Sequence, residues 1–237
     1  MPPDSTGKGF QLGFSEQYSS LSDLYLDGTK VPNALNQYMD SSNSQVLVNY
    51  RFNPKYSLQL NMPLIHRSFQ RVEGDALQTG SVAGIGDMLL VGTYVPFQRK
   101  NPSSQFRWKM IGGLKFPTGS ADRISEELTE MDSSSSESVP SAVHGHDLAL
   151  GSGSWDGLIG AEVSGGAGRW YYLAHLQYAI RTRGSFDYKY ANDLLWYGGP
   201  GYYLAAGHNY TFGLQGQFGG EQKGADELGS QKTDDTA

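Results

Sequence analysis

The 237-residue chain contains no cysteine, which removes disulfide frameworks and thiolate-held metals from consideration. It also lacks any apolar run near the roughly 18 residues that a membrane-spanning helix requires. Its first residues, "MPPDSTGKGF", have neither the basic nor the apolar segment of a signal peptide, and the expectation is that such a leader was removed upstream. Basic residues are scarce: 18 Lys and Arg against 24 Asp and Glu leave a net charge of -6. No basic stripe is visible, so a nucleic-acid surface is excluded as an expectation. Only 38% of residues are hydrophobic, yet Gly (31) and Tyr (15) are abundant. The length suits one domain over residues 1–237, with one sizeable core or one large barrel.

What is present is alternation. In "QVLVNYRF", Val46, Val48, Tyr50 and Phe52 face one way and Gln45, Asn49 and Arg51 the other. "KYSLQLNMPL", "QFRWKMIGGLKF" and "NYTFGLQGQF" repeat this period of two, the signature of strands with one apolar and one polar face. Nine strands are predicted, near 10–20, 44–53, 55–68, 84–97, 105–117, 154–165, 169–182, 193–205 and 209–219. Their connections alternate. Short ones fall at 53–54, 98–104, 165–168 and 205–209, and longer polar ones at 21–43, 69–83, 118–153 and 183–192. Short turns at one end and long loops at the other mark an all-β, antiparallel up-and-down transmembrane barrel.

Alternation fits a soluble barrel as well as a membrane barrel, with the faces exchanged. Aromatic placement favours the membrane form. Phe52, Tyr56, Phe106, Trp108, Trp170, Tyr172, Tyr210 and Phe212 gather beside the short turns, while Phe69, Phe116, Trp155, Trp196 and Phe218 lie towards the long loops. Two belts are what amphipathic rings form at headgroup depth. The polar face then lines a lumen, with Arg51, Asp87, Arg107, Lys109, Lys115, Asp156, Glu162, His175 and Arg181 as its candidate residues. Strand direction places Asp87, Lys115 and Asp156 together near the long-loop end. It places Arg107 and Lys109 near Glu162 at the short-turn end, where opposite charges at similar depth can pair.

Nine strands end on the long-loop side, and bacterial single-chain barrels close with even numbers. Either the count is off by one, or the polar tail 220–237 is a loop leading to further strands, and the second is the expectation. "GIGDMLLVGTYVPF" (84–97), "GLKFPTG" (113–119), "LGSGSWDGLIG" (150–160) and "WYYLAHLQYAIR" (170–181) occur in that order. In these segments the chain resembles the outer-membrane barrel family named for the meta-pathway of phenol degradation, over roughly residues 84 to 206. The resemblance implies more strands, an outer-membrane location and passage of small, hydrophobic or aromatic compounds. It implies no catalytic residues. After Phe218 the chain departs from the family's pattern.

Chemistry-bearing motifs are few. There is no G-x-S-x-G nucleophile elbow, and "GSVAGIGD" precedes a strand rather than the helix that a dinucleotide fingerprint needs. The loop 118–153 is acidic, with Arg123 as its sole cation, and oxygen ligation of Ca²⁺ is an option for it, although a solvated loop is the simpler reading. At its end stand His144, His146 and Asp147, a candidate for Zn²⁺ or Cu²⁺ by ligand type, but of a spacing that matches no strong signature. No cofactor is expected.

The leading expectation is a bacterial outer-membrane pore or small-solute transporter without enzyme activity, with lipid and a solute as partners. A scaffold or surface-complex barrel, with a protein partner at the exterior loops or an open edge, is the alternative. A soluble lipocalin-like barrel is the minor one.

Overall fold

The computed structural model describes residues 8–26, 29–73, 76–128, 141, 143–206 and 211–232. Its strands are β1 (Gly9–Leu21), β2 (Leu24–Leu26), β3 (Thr29–Val31), β4 (Tyr38–Arg51), β5 (Tyr56–Glu73), β6 (Ala76–Ile85), β7 (Met88–Lys100), β8 (Ser104–Phe116), β9 (Asp156–Ala167), β10 (Trp170–Ile180), β11 (Tyr188–Lys189), β12 (Asp193–Ala206), β13 (Thr211–Gln215), β14 (Phe218–Lys223), β15 (Glu227–Leu228) and β16 (Gln231–Lys232). Among the described residues no helix is long and apolar enough to cross a membrane, a statement that does not bear on strands.

The large sheet is an antiparallel meander in chain order, β1-β4-β5-β7-β8-β9-β10-β12-β13. β6 and β7 are two halves of one path along β5, broken at Gly86–Asp87. β13 and β14 likewise run along β12, broken at Gly216–Gln217. Nine strand paths result, as the alternation predicts. The sheet curls: residues of seven strands, from Asn49 on β4 to Tyr197 on β12, line one cavity. This is the up-and-down barrel fold. Among the described residues β1 pairs only with β4, and β13 and β14 only with β12, so two edges stay unpaired.

The short connections are tight for local reasons. The Asn53 side chain accepts hydrogen bonds from the amides of Lys55 and Tyr56 at 2.8 and 3.0 Å, closing the chain on itself without help from the sheet. Pro96 sits inside β7 where the register with β8 shifts between Tyr94 and Phe97, a bulge that accommodates a residue with no amide to donate. The predicted turn 205–209 lies largely outside the described residues, as does Tyr210.

The faces are inverted relative to a soluble protein. Leu12 is 80% exposed, Phe10 74% and Trp170 61%, and Ile159, Leu176, Phe212 and Leu214 are exposed on the same outer side. Asp156 and Ser164 on the inner side are buried. A continuous apolar exterior of this kind marks contact with a partner or a membrane.

Three sequence expectations change at the long-loop end. Residues 69–73 and 76–83 are a strand extension, because β5 and β6 pair from Leu64–Ile85 up to Glu73–Ala76. Phe69 is not a belt residue: it is 1% exposed, since its odd position faces inward and is covered by Val143 and Leu148. The polar tail is partly ordered strand. β14 reaches Lys223, and β15 then pairs with β11 and β16 with β15 in a small sheet. Tyr188 donates to the buried Asp226 at 2.6 Å, and Asp226 also accepts from the Ala191 amide at 2.7 Å.

The described parts of the loop 118–153, residues 118–128 and 143–153, fold inward over the lumen. A 3-10 turn (Asp122–Ser125) and a one-turn helix α1 (Gly145–Leu148) supply Ile124 and Leu148, both fully buried. Ile124 packs with Ala121, Ala149, Tyr188 and Leu228, and Leu148 with Met39, Phe69 and Val143. These two clusters form a conventional small core, apolar inside, seated on the mouth of the barrel. The loop's ends meet at glycines: a methyl group on Gly119 would lie 2.6 Å from the Leu150 carbonyl oxygen, and one on Gly151 would lie 2.6 Å from that of Gly119. Only residues without Cβ allow so close an approach.

Candidate functional site

The inner face carries two groups of charged residues, one at each end. At the long-loop end, the break after β6 turns the Asp87 side chain inward. Lys115 on β8 lies 3.0 Å from Asp87 and 2.6 Å from Asp156 on β9. Arg181, just past β10, continues the chain to Asp156 at 3.4 Å and to Asp193 at 2.7 Å. Further hydrogen bonds come from the folded loop and from the residues that flank β9 and β10. Asp87 accepts from the amides of Gly119 and Ser152, each at 2.9 Å. Asp156 accepts from Ser154 Oγ and from the Thr182 amide, also at 2.9 Å. Ions this deeply buried need partners for every charge, and here two cations and three carboxylates have them.

The short-turn end is different. Lys109 and Glu162, opposite each other in the β8–β9 register, form an ion pair. Arg107, one inward position nearer the turn, has its Nε buried with no hydrogen-bond partner among the described residues. His175 on β10, side chain 8% exposed, has Nδ1 3.9 Å from Glu162, beyond hydrogen-bond reach, and this nitrogen also lacks a partner. The His175 ring stacks on Tyr197 at 4.5 Å. Arg51, Arg107, Lys109, Glu162 and His175 all line one cavity of about 450 Å³. Asp87, Lys115, Asp156 and Arg181 line the neighbouring one. All nine residues expected on the inner face therefore stand there, split between the two ends.

His144, His146 and Asp147 are used differently from the metal expectation. His144 is the N-cap of α1 in a reciprocal capping box, its amide donating to Asp147 at 3.0 Å. His146 is buried, with Nδ1 2.8 Å from Glu127 and Nε2 3.4 Å from Asp147. Both ring nitrogens thus face carboxylates of the same cap. Among the described residues no group of three or more His, Asp and Glu side chains is arranged to hold a metal ion. The correction follows from burial: a loop folded over the lumen needs its polar groups paired internally. Glu130, Asp132 and Glu137 of the acidic loop lie outside the described residues.

Burial alone would lower the His146 pKa, but the hydrogen bond to Glu127 and the charges of Asp147 and Glu127 outweigh it, and the net shift is upward. Burial would raise Glu127, yet its bonds to His146 and the imidazole charge carry it below the usual carboxylate range. Burial, then the bond to Asp226, pushes the Tyr188 hydroxyl well above its ordinary value. Both shifts favour an ion pair between His146 and Glu127, and Tyr188 and Tyr190 serve as donors, with Tyr190 donating to the His146 carbonyl at 3.0 Å.

Sequence reading missed Asp193, the buried acceptor of Arg181, although it opens a strand in phase with the inward Leu195 and Tyr197. It also missed Glu127 and Ser152, whose roles arise only when the loop folds back. No local spacing signals them.

No protein-family profile and no curated protein matches this sequence. Among solved structures the fold is similar to the COG4313 outer membrane channel from Pseudomonas putida F1, with a TM-score of 0.66 at 16% identity over 99% of this chain and 81% of that one. At that identity the likeness speaks for the fold: the curled antiparallel meander is the wall of a β-barrel.

Proposed function

We propose that this chain forms an outer-membrane β-barrel that works as a passive pore for small solutes, with no catalytic step. One observation carries the reading: the sheet exposes its apolar face outward and encloses paired charges around a cavity. Lipid is the solvent that rewards this inversion. The likeness to a protein named as an outer membrane channel supports it. The resemblance of the 84–206 segments to the meta-pathway barrel family supports a Gram-negative outer-membrane location and small hydrophobic or aromatic compounds among the solutes. Purified protein in planar bilayers is expected to give discrete conductance steps. A protein that inserts without conductance refutes the pore.

The two unpaired edges favour a second reading, a barrel wall completed by a partner in a surface complex. Open edges are not tolerated in lipid. Insertion without conductance, together with a stoichiometric partner cross-linked to β1 or β14, is the result that would select it.

A further inference from the structure

The charged groups of the long-loop network, Asp87, Lys115, Asp156, Arg181 and Asp193, pair with one another, although Asn43 Oδ1 and Arg67 Nε are buried there without partners among the described residues. The short-turn end holds two such nitrogen atoms on residues that line one cavity. Arg107 Nε and His175 Nδ1 both lack hydrogen-bond partners among the described residues, and both residues line the same cavity of about 450 Å³. Buried donors without partners are uncommon and call for an explanation. Arg107 stands opposite Ser164 and His175 opposite Glu162, so the two flank β9 two strand spacings apart and two residues offset along it, a backbone separation of about 12 Å, and both side chains line the space between. Lys55 also lines this cavity. The one carboxylate there, Glu162, is held by Lys109.

We propose that this basin is a binding site for a small carboxylate anion. The guanidinium fork of Arg107 matches the two carboxylate oxygens, and His175 donates through Nδ1. The stack on Tyr197 fixes the imidazole plane. Tyr197 and Val95 provide apolar surface beside the charged groups, which suits a short organic anion better than a hydrated inorganic one. The site deepens the pore reading by naming a solute class, and it rests on that reading for the route by which a solute arrives.

Binding is measurable without transport. Protein labelled with ¹⁵N in its histidines, folded in detergent micelles, is titrated with sodium acetate, and with acetamide as the neutral isostere. The His175 resonance, assigned with His175→Asn, is expected to shift saturably with acetate and to ignore acetamide. Arg107→Gln is expected to weaken the response roughly tenfold or more, the loss of a charge-assisted hydrogen bond. Glu162→Gln removes the competing carboxylate and is expected to tighten binding. It is the second variant should Arg107→Gln fail to fold. No saturable shift, an equal response to acetamide, or an unchanged Glu162→Gln titration overturns the proposal and leaves water in the basin. Acetate binding by a protein without conductance keeps this site and removes the pore. Conductance without acetate binding does the reverse.

Discussion

The charged clusters at the two ends of the lumen are built from the same residue types and are paired to different degrees. At the long-loop end, Lys115 and Arg181 are saturated by three aspartates, and the folded loop supplies the last donors. At the short-turn end, Arg107 and His175 keep unpaired nitrogens beside a cavity. The difference comes from what covers each end. The long loop brings backbone amides to the carboxylates, whereas the tight turns at 52–55 and 101–103 have no chain to spare. Saturation of the charged cluster suits a structural seal, and unpaired nitrogens on residues that line a cavity suit an occupant.

The hardest test of this contrast is Lys115→Met. It leaves Asp87 and Asp156 facing one another, and the expected loss is about 3–5 kcal/mol, the cost of stranding buried charges. Urea unfolding of the micelle-folded protein reads it. Arg107→Met at the other end is expected to change stability by less than about 1 kcal/mol, because Arg107 has no ion pair to lose among the described residues. Equal losses would erase the distinction between the ends.

A second comparison crosses the wall. Leu176 faces outward and Gln177 inward on β10. Leu176→Arg is expected to cost about 2–4 kcal/mol in lipid if the residue lies near mid-depth, while Gln177→Arg is expected to fold nearly as well as the parent. Folding yields in vesicles separate the two. Similar yields would point to a water-exposed outer face.

The smallest effect concerns the cap. His146 has its pKa raised above 6.5, so its contribution to stability is complete below that value and fades as pH rises through the higher folded-state pKa. Amide exchange in α1 is expected to accelerate, beyond the intrinsic base-catalysed rise, as the solution becomes alkaline. In His146→Gln that excess is expected to vanish while exchange in β9 and β10 stays as in the parent.

Much of the wall was legible in sequence because a strand writes its environment at every second residue. Val46, Val48 and Tyr50 against Gln45 and Asn49, or Trp108 and Met110 against Arg107 and Lys109, follow from pleat geometry alone. The depth of Lys115 and Asp156, and the pairing of Lys109 with Glu162, followed from strand direction and hairpin register. The cap was illegible for the converse reason. Phe69 resembles a belt aromatic in sequence, and only the inward packing of Val143 and Leu148 makes it a core residue. His144, His146 and Asp147 resemble ligands in sequence, and only Glu127, nearly twenty positions away, turns His146 into an ion-pair partner.

The sequence by itself determined the strand count, the two faces and the rank of charges along the lumen, since these depend on a local period of two. Tertiary structure alone decided which charges are saturated, which aromatic is buried and how the tail 224–232 is used. Those outcomes depend on distant segments meeting at the mouth of the barrel, where burial leaves no water to satisfy a polar group and the partner must come from another part of the chain.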